Sequence, residues 1–218
     1  RGGIMEDLKI RKEIIEKGIN MLEDGLTSGT GGNISYSPPD EDYALITPSG
    51  VPYREITPDQ IAKVDYQGKK LGREGPEPSS EAPMHTLILK SKPDVNAVIH
   101  THSPFASTVA TLGKGIPPIY YLIADIGDKV PLAEYATYGT REIAESALAV
   151  LEDRHGVLLE KHGALAVGET LEDAYYYAGL IEELAKIYYR VLSTDIDPEP
   201  LSDEELEKLK KKFESYGQ

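Results

Sequence analysis

Leu8, Ile15, Ile19 and Leu22 fall on one stripe of a 3.6-residue period, and the spacing predicts an amphipathic helix over residues 5–26. The period then changes. "TSGTGGNISYS" reads as a glycine-rich turn running into a strand. "YALITPSG" reads as a strand ending in a Pro-Ser-Gly turn, and "ITPDQIAKVDYQG" as a short turn, a strand and another glycine turn. A helix is predicted from about Ala82 to Lys90, with Ser80 as its N-cap and Pro83 tolerable only in the first turn. "NAVIHTHS" predicts a strand and residues 104–112 a helix, while "PPIYYLIADIG" and the stretch near Val130 predict strands. Thr140 caps a helix through Leu151, "GVLLEKHGALAVG" gives a strand, a His-Gly turn and another strand, and Thr170 starts a long helix to about Leu192. The chain's last helix lies in "LSDEELEKLKKKFESYG", with a Ser202/Glu205 capping box and a Leu201/Leu206 staple.

Strands occupy the middle of this pattern and helices bracket them. That argues for one α/β domain over residues 1–218, with a sheet between helical layers. Several strand pairs are joined too tightly for crossover helices, so the sheet is expected to be mixed and largely antiparallel.

Composition narrows the chemistry. With no cysteine in 218 residues, neither a disulfide nor a thiolate metal site is available. The net charge is -14, and the one basic run, "EKLKKKFE", reads as the solvated face of an acidic helix. No nucleic-acid partner is expected. No apolar run approaches membrane-spanning length and no signal-like segment opens the chain, so no membrane partner is expected and the cytoplasm is the expected location. Asn and Gln number three each while Lys and Glu dominate the charge, a composition that leans thermophilic. An acidic protein with an anionic substrate must concentrate positive potential locally, through a metal or aimed backbone N–H groups.

The candidate chemistry starts at "VIHTHS". His100 and His102 point to the same side of a strand, and two adjacent imidazoles are awkward to bury unless both ligate a cation. His162, where a strand breaks at His-Gly, makes a third. Three imidazoles suit zinc at about 2.0–2.1 Å, leaving a position for water, a carboxylate or substrate. The competing reading is that His162 merely starts a turn. His85, on a helix, and His155, beside a charged helix end, are read as structural or exposed. A cupin-type site would want a glutamate soon after the second histidine, and "HTHSPFASTVA" has none. A TIM-barrel hydrolase would want a longer chain.

In "PSSE", Glu81 follows two serines at a helix start. The hydroxyls and unpaired N–H groups make an anion site, and the carboxylate beside it is suited to reaching a metal or abstracting a proton. The plainer alternative is a glutamate favoured by the helix dipole. In "SGTGGNIS", Gly31 and Gly32 permit close backbone approach and Thr30 and Asn33 add donors, which suits phosphate, although a helix-to-strand turn reads the same way. "TPSG" at 47–50 offers a second hydroxyl-and-glycine turn.

"GTGGNIS", "ITPSGVPY", "PSSE", "NAVIHTHS", "YATYGTRE" and "KHG" occur here in the order in which they occur in the class II aldolase/adducin family, which the chain resembles over nearly its whole length. The resemblance implies a three-layer α/β/α domain around a mixed, mostly antiparallel sheet, and a homotetramer with sites between neighbouring copies. It implies one zinc per subunit on His100, His102 and His162. Glu81 would ligate the zinc at rest and then act as acid and base. Thr30, Gly32, Asn33, Ser49, Gly50, Ser79 and Ser80 match the family's phosphate-binding loops. Tyr121 matches a tyrosine contributed across the subunit boundary to the aldehyde oxygen, and Tyr216 a residue that helps close the site. The implied activity is reversible cleavage of L-fuculose 1-phosphate, or a related ketose 1-phosphate, to dihydroxyacetone phosphate and L-lactaldehyde. The alternative is a pentulose-phosphate 4-epimerase such as one acting on L-ribulose 5-phosphate. Epimerases of the family usually carry Asp after "PSS", where this chain has Glu81. A methylthioribulose-phosphate dehydratase would want a further glutamate near position 120, and an adducin-like structural module would have lost the metal ligands.

Overall fold

The computed structural model describes residues 2–73 and 75–214. Helix α1 (Gly2–Glu23) leads through the glycine turn into β1 (Asn33–Tyr36), β2 (Tyr43–Ile46) and β3 (Ala62–Asp65). Helix α2 (Ala82–Ser91) precedes β4 (Ala97–Thr101), which is followed by α3 (Pro104–Thr111), a short α4 (Ile123–Ile126) and β5 (Leu132–Ala133). Then come α5 (Arg141–Leu151), β6 (Gly156–Leu159), β7 (Gly163–Gly168), α6 (Leu171–Leu192) and α7 (Asp203–Glu214).

The seven strands form one sheet in the order β3-β2-β1-β4-β7-β6-β5. Every named strand pair is antiparallel except β5 with β6. The mixed, mostly antiparallel expectation is borne out. Alternation along β4 assigns its two faces. Ala97 and Ile99 join a core with residues of α1, α3, α4, α6 and α7, while Val98 joins a second core with residues of α2 and α5. Two helical layers therefore enclose the sheet, as the pattern of apolar positions implied. Burying each Ile, Leu or Val side chain stabilises the fold by about 1.5–3 kcal/mol, so β4, with all five residues buried, is a rigid base for whatever it carries.

Two expectations need correction. "PPIYYLIADIG" forms turns and the short helix α4, not a strand. Its apolar positions 119, 122, 123 and 126 repeat at helical spacing, and buried Ile123 and Ile126 face the core. Near Val130 the pairing is a lone bridge to Ile116, with β5 following it. Ser80 also does not cap α2. Glu81 occupies the cap position without a side-chain cap bond, and Ser79 closes the turn, its Oγ accepting from the Glu81 N–H at 3.3 Å and its carbonyl from the Ala82 N–H at 3.0 Å.

Other ends follow the local signals. Thr170 and Asp173 form a reciprocal capping box at α6, and the Glu205 N–H donates to Ser202 Oγ at 3.2 Å at α7. The start of α3 is satisfied from elsewhere in the chain, the Glu182 carboxylate of α6 accepting from the Phe105 and Ala106 N–H groups at 2.9 and 2.8 Å. No helix among the described residues is long and apolar enough to cross a membrane.

Candidate metal centre

Antiparallel register sets Asn33 of β1 directly opposite His100 of β4, with Ser35 opposite Val98, so these side chains share the sheet face covered by α2. Glu81 sits at the start of α2 and His85 one turn on, on the same side of that helix. His102 lies just past the end of β4. His162 belongs to the three-residue turn joining β6 to β7, a turn closed by a His162 N–H to Leu159 carbonyl bond of 3.0 Å. Lys161 in that turn has φ +55°, a left-handed conformation that a lysine adopts only when its surroundings enforce it.

Glu81, His100, His102 and His162 each offer one ligand atom, and the four atoms lie within 4.8 Å of one another. The Nε2 atoms of His100 and His102 are 2.9 Å apart, His100 Nε2 is 3.3 Å from Glu81 Oε2, and His162 Nε2 is 3.6 Å from Glu81 Oε1. Four donors placed tetrahedrally at about 2.0–2.1 Å from one ion are about 3.3 Å apart, so these separations bracket the spacing such an ion requires. His100 Nδ1 donates to the Ala164 carbonyl at 2.9 Å, which leaves the Nε2 lone pair facing the cluster. Glu81 Oε1 is buried and has no hydrogen-bond partner. An orphaned carboxylate oxygen among three imidazoles fits a divalent cation.

Electrostatics agree with ligation. Burial pushes the His100 imidazole down to about 3, so it is neutral and able to donate a lone pair at ordinary pH. Burial, together with His162 nearby, also lowers His102. For Glu81, burial works against ionisation, but His100, the Asn33 amide and the other histidines outweigh it and hold the carboxyl below its usual range.

Two close approaches explain glycines beside the cluster. Gly32 has φ +70°, and a Cβ there would lie 2.5 Å from the His100 carbonyl oxygen. A Cβ on Gly163 would collide with the Thr101 carbonyl and press on the rings of His100 and His102. The glycine loop therefore packs against the histidine strand itself. Buried Tyr53 steadies it by donating to the Gly31 carbonyl at 3.2 Å.

The loops named from sequence are drawn together by backbone pairing. Pro48 bridges Pro78, the Ser49 N–H donates to the Glu77 carbonyl at 2.9 Å, and the Ser79 N–H to the Thr47 carbonyl at 3.0 Å. Thr47 in turn pairs with Ile34 through the Thr47 N–H and through its own Oγ1. Asn33 and Ser79 are buried, Gly32 is half-buried, and Thr30, Ser49, Gly50 and Ser80 are exposed. Tyr121 is half exposed and its ring contacts are Tyr120 and Phe213. Tyr216 lies outside the described residues.

Sequence reasoning passed over His85. It is fully buried and hydrogen-bonded to Ser35 and Asn33, and Asn33 Nδ2 donates to Glu81 Oε2 at 2.9 Å. The four-residue spacing of Glu81 and His85 on a helix was the available signal.

Residues 12–189 match the family described as the class II aldolase and adducin N-terminal domain. The chain is 41% identical over 210 residues to the 5-deoxy-D-ribulose 1-phosphate aldolase of Bacillus thuringiensis serovar kurstaki, covering 96% of this chain and 98% of that protein. It is 41% identical over 215 residues to the L-fuculose phosphate aldolase of Escherichia coli K12, covering 98% of each. A solved structure of an L-fuculose 1-phosphate aldolase superposes with a TM-score of 0.90 at 38% identity, covering 94% of this chain and 96% of that one.

Proposed function

The chain belongs to the class II aldolase and adducin family and is a metal-dependent aldehyde-lyase, and from that premise we propose that it reversibly cleaves a ketose 1-phosphate to dihydroxyacetone phosphate and a short aldehyde. With L-fuculose 1-phosphate the aldehyde is L-lactaldehyde, and a 5-deoxypentulose 1-phosphate would release a shorter one. The observation that carries the reading is the buried Glu81 carboxylate, one oxygen unpartnered, converging with three imidazoles within 4.8 Å.

His100, His102, His162 and Glu81 would hold one zinc ion, which supplies a Lewis acid for negative charge growing on the sugar's carbonyl and hydroxyl oxygens. Glu81 handles the proton. In condensation it removes a proton from C3 of dihydroxyacetone phosphate, and that carbon then bonds the aldehyde carbon. In cleavage the C4 hydroxyl would pass its proton to Tyr121 of a neighbouring copy as the C3–C4 bond breaks, the bond's electrons go to C3, and Glu81, in its acid form, gives a proton there. Tyr121 of a neighbouring copy would donate to the aldehyde oxygen, which makes the working enzyme an oligomer of, we propose, four copies. Thr30, Gly32, Ser49, Gly50, Ser79 and Ser80 would take the phosphate through hydroxyls and backbone N–H groups. Asn33 would join them with its second amide hydrogen, the first being given to Glu81.

The alternative, a pentulose-phosphate 4-epimerase, is separated by one assay. L-fuculose 1-phosphate, 5-deoxy-D-ribulose 1-phosphate, L-rhamnulose 1-phosphate and L-ribulose 5-phosphate are offered to the pure zinc-loaded protein. Release of dihydroxyacetone phosphate from the 1-phosphates is expected, and their relative rates name the preferred sugar. Epimerisation of L-ribulose 5-phosphate without any release of dihydroxyacetone phosphate would overturn the proposal.

A further inference from the structure

The buried side chains behind Glu81 form a line with a fixed direction. An ionised carboxylate only accepts, so the Asn33 atom 2.9 Å from Glu81 Oε2 must be the amide nitrogen. The Asn33 oxygen then faces His85 Nε2 at 2.5 Å, and that nitrogen must carry a proton. Burial holds His85 neutral, its pKa pushed down to about 4, so Nδ1 is a bare lone pair and accepts from Ser35 Oγ at 2.7 Å. Each bond forces the next. His85, Ser35 and Asn33 are all buried, so a donor or acceptor left unpaired among them would be costly.

The geometry points to His85 as a positioning residue: with its proton on Nε2 and Ser35 on Nδ1, it locks the Asn33 carboxamide so that the nitrogen, and not the oxygen, faces Glu81 and the substrate. A carboxamide rotated by half a turn would set an oxygen lone pair against the carboxylate and remove the donor offered to the substrate. While its proton stays on Nε2 the His85 ring opposes this, because a donor there cannot face an NH₂ group without leaving two donors head to head, and the other tautomer would still leave the Asn33 oxygen against the Glu81 carboxylate. The inference rests on the reading of Glu81 as the acid and base, but the arrangement of protons exists in the resting protein whether or not that reading holds.

Two measurements test it. In the metal-free protein, ¹⁵N NMR of the His85 ring is expected to show a neutral imidazole protonated at Nε2 in wild type and in Ser35→Ala alike, with the Nδ1-protonated form, bonded to Ser35 Oγ, gaining population in Asn33→Ala, which removes the acceptor on Nε2. In the zinc-loaded enzyme, His85→Leu is expected to lower kcat about 10–100-fold. His85→Gln, whose amide nitrogen can donate to Asn33 as Nε2 does, is expected to restore most of that loss. In an Asn33→Ala background His85→Leu should cost nothing further, because the two changes remove one device. An Nδ1-protonated ring, equal losses in the Gln and Leu variants, or the same fold-loss with and without Asn33 would each overturn the proposal. Should the Leu variant fail to fold, the tautomer and its response to Asn33→Ala decide alone. A Glu81→Gln enzyme at full rate would remove the acid–base reading, yet the NMR result would still judge the orientation.

Discussion

Strands β4, β6 and β7 carry histidines at both ends, and the two ends behave differently. At one end His100, His102 and His162 surround Glu81 with ring centroids 4.7–5.2 Å apart. At the other, His155 stacks flat on Tyr177 at 4.2 Å beside a cleft of about 600 Å³ lined also by Lys92, Asp94, Arg154 and Asp173. The second end has a hollow and two cations, Lys92 and Arg154. Arg154, however, is already paired with Asp128 and Glu152, and Asp173 caps α6. At the first end an acceptor is left over, Glu81 Oε1. Convergent lone pairs without protein donors, not room or charge, mark where an ion and a reaction belong.

The contrast breaks most visibly when the metal is removed. Chelation is expected to abolish cleavage and a divalent ion to restore it. A His100→Ala, His102→Ala double variant should bind no zinc, while His155→Ala keeps one zinc per chain by atomic emission. Full occupancy in the double variant would place the metal elsewhere. The next effect is kinetic. Glu81→Gln keeps the size and the Asn33 contact but loses the base, which costs about 10²–10⁴-fold in kcat. Zinc should remain, since three imidazoles still hold it. A wild-type rate would reduce Glu81 to a residue at a helix start.

A smaller effect concerns the phosphate, and here the cleft beside His155, which holds Lys92 and Arg154, is the control. The sites proposed for phosphate contain neither Lys nor Arg, so affinity must come from short-range donors. Losing one hydrogen bond to a charged group costs about 1.5–3 kcal/mol, or roughly 10–150-fold. Ser79→Ala should raise KM for the phosphorylated sugar by that factor and leave residual activity on the unphosphorylated sugar nearly unchanged. Lys92→Ala, at the opposite end, should change neither. A KM that rises with Lys92→Ala and not with Ser79→Ala would move the phosphate to the cleft beside His155.

Much of this was legible before any coordinates. The helical stripe of α1, the Thr140 and Thr170 caps and the tight β6–β7 turn are local signals, and local physics writes them into sequence. His100 and His102 announced themselves by spacing. What stayed hidden was set across the sheet. The register that puts Asn33 opposite His100 needs β1 and β4 side by side, though they lie about sixty residues apart in the chain. The Glu182 cap on α3 comes from a helix far along the chain. His85 looked like a helix-core histidine because nothing near it in sequence shows that Ser35 and Asn33 arrive on its two nitrogens. "PPIYYLIADIG" misled because its residue types favour strand while its spacing favours helix, and buried spacing won.

The smallest expected effect sharpens the comparison through acid stability. His85, fully buried at the metal end, has its pKa pushed down by burial, against the pull of Glu81, to about 4. In the unfolded chain it returns to about 6.5. As pH falls from 6.5 toward 4 the unfolded state takes up a proton that the native state refuses. The contribution of His85 is therefore present above about 6.5 and is lost on acidification through that window. Two pKa units of this window correspond to roughly 2–3 kcal/mol. His155 at the other end is lowered in the same direction by burial, but it is half-buried, so its contribution should be smaller. Urea denaturation of metal-free protein at pH 7.5 and 4.5 reads the difference directly. Wild type should lose stability between the two, His85→Gln should lose distinctly less, and His155→Gln should track wild type more closely. Parallel losses in wild type and His85→Gln would mean that His85 accepts a proton in the folded state as readily as in the unfolded one, and the two ends of the sheet would then differ in ligands but not in how they hold a neutral histidine.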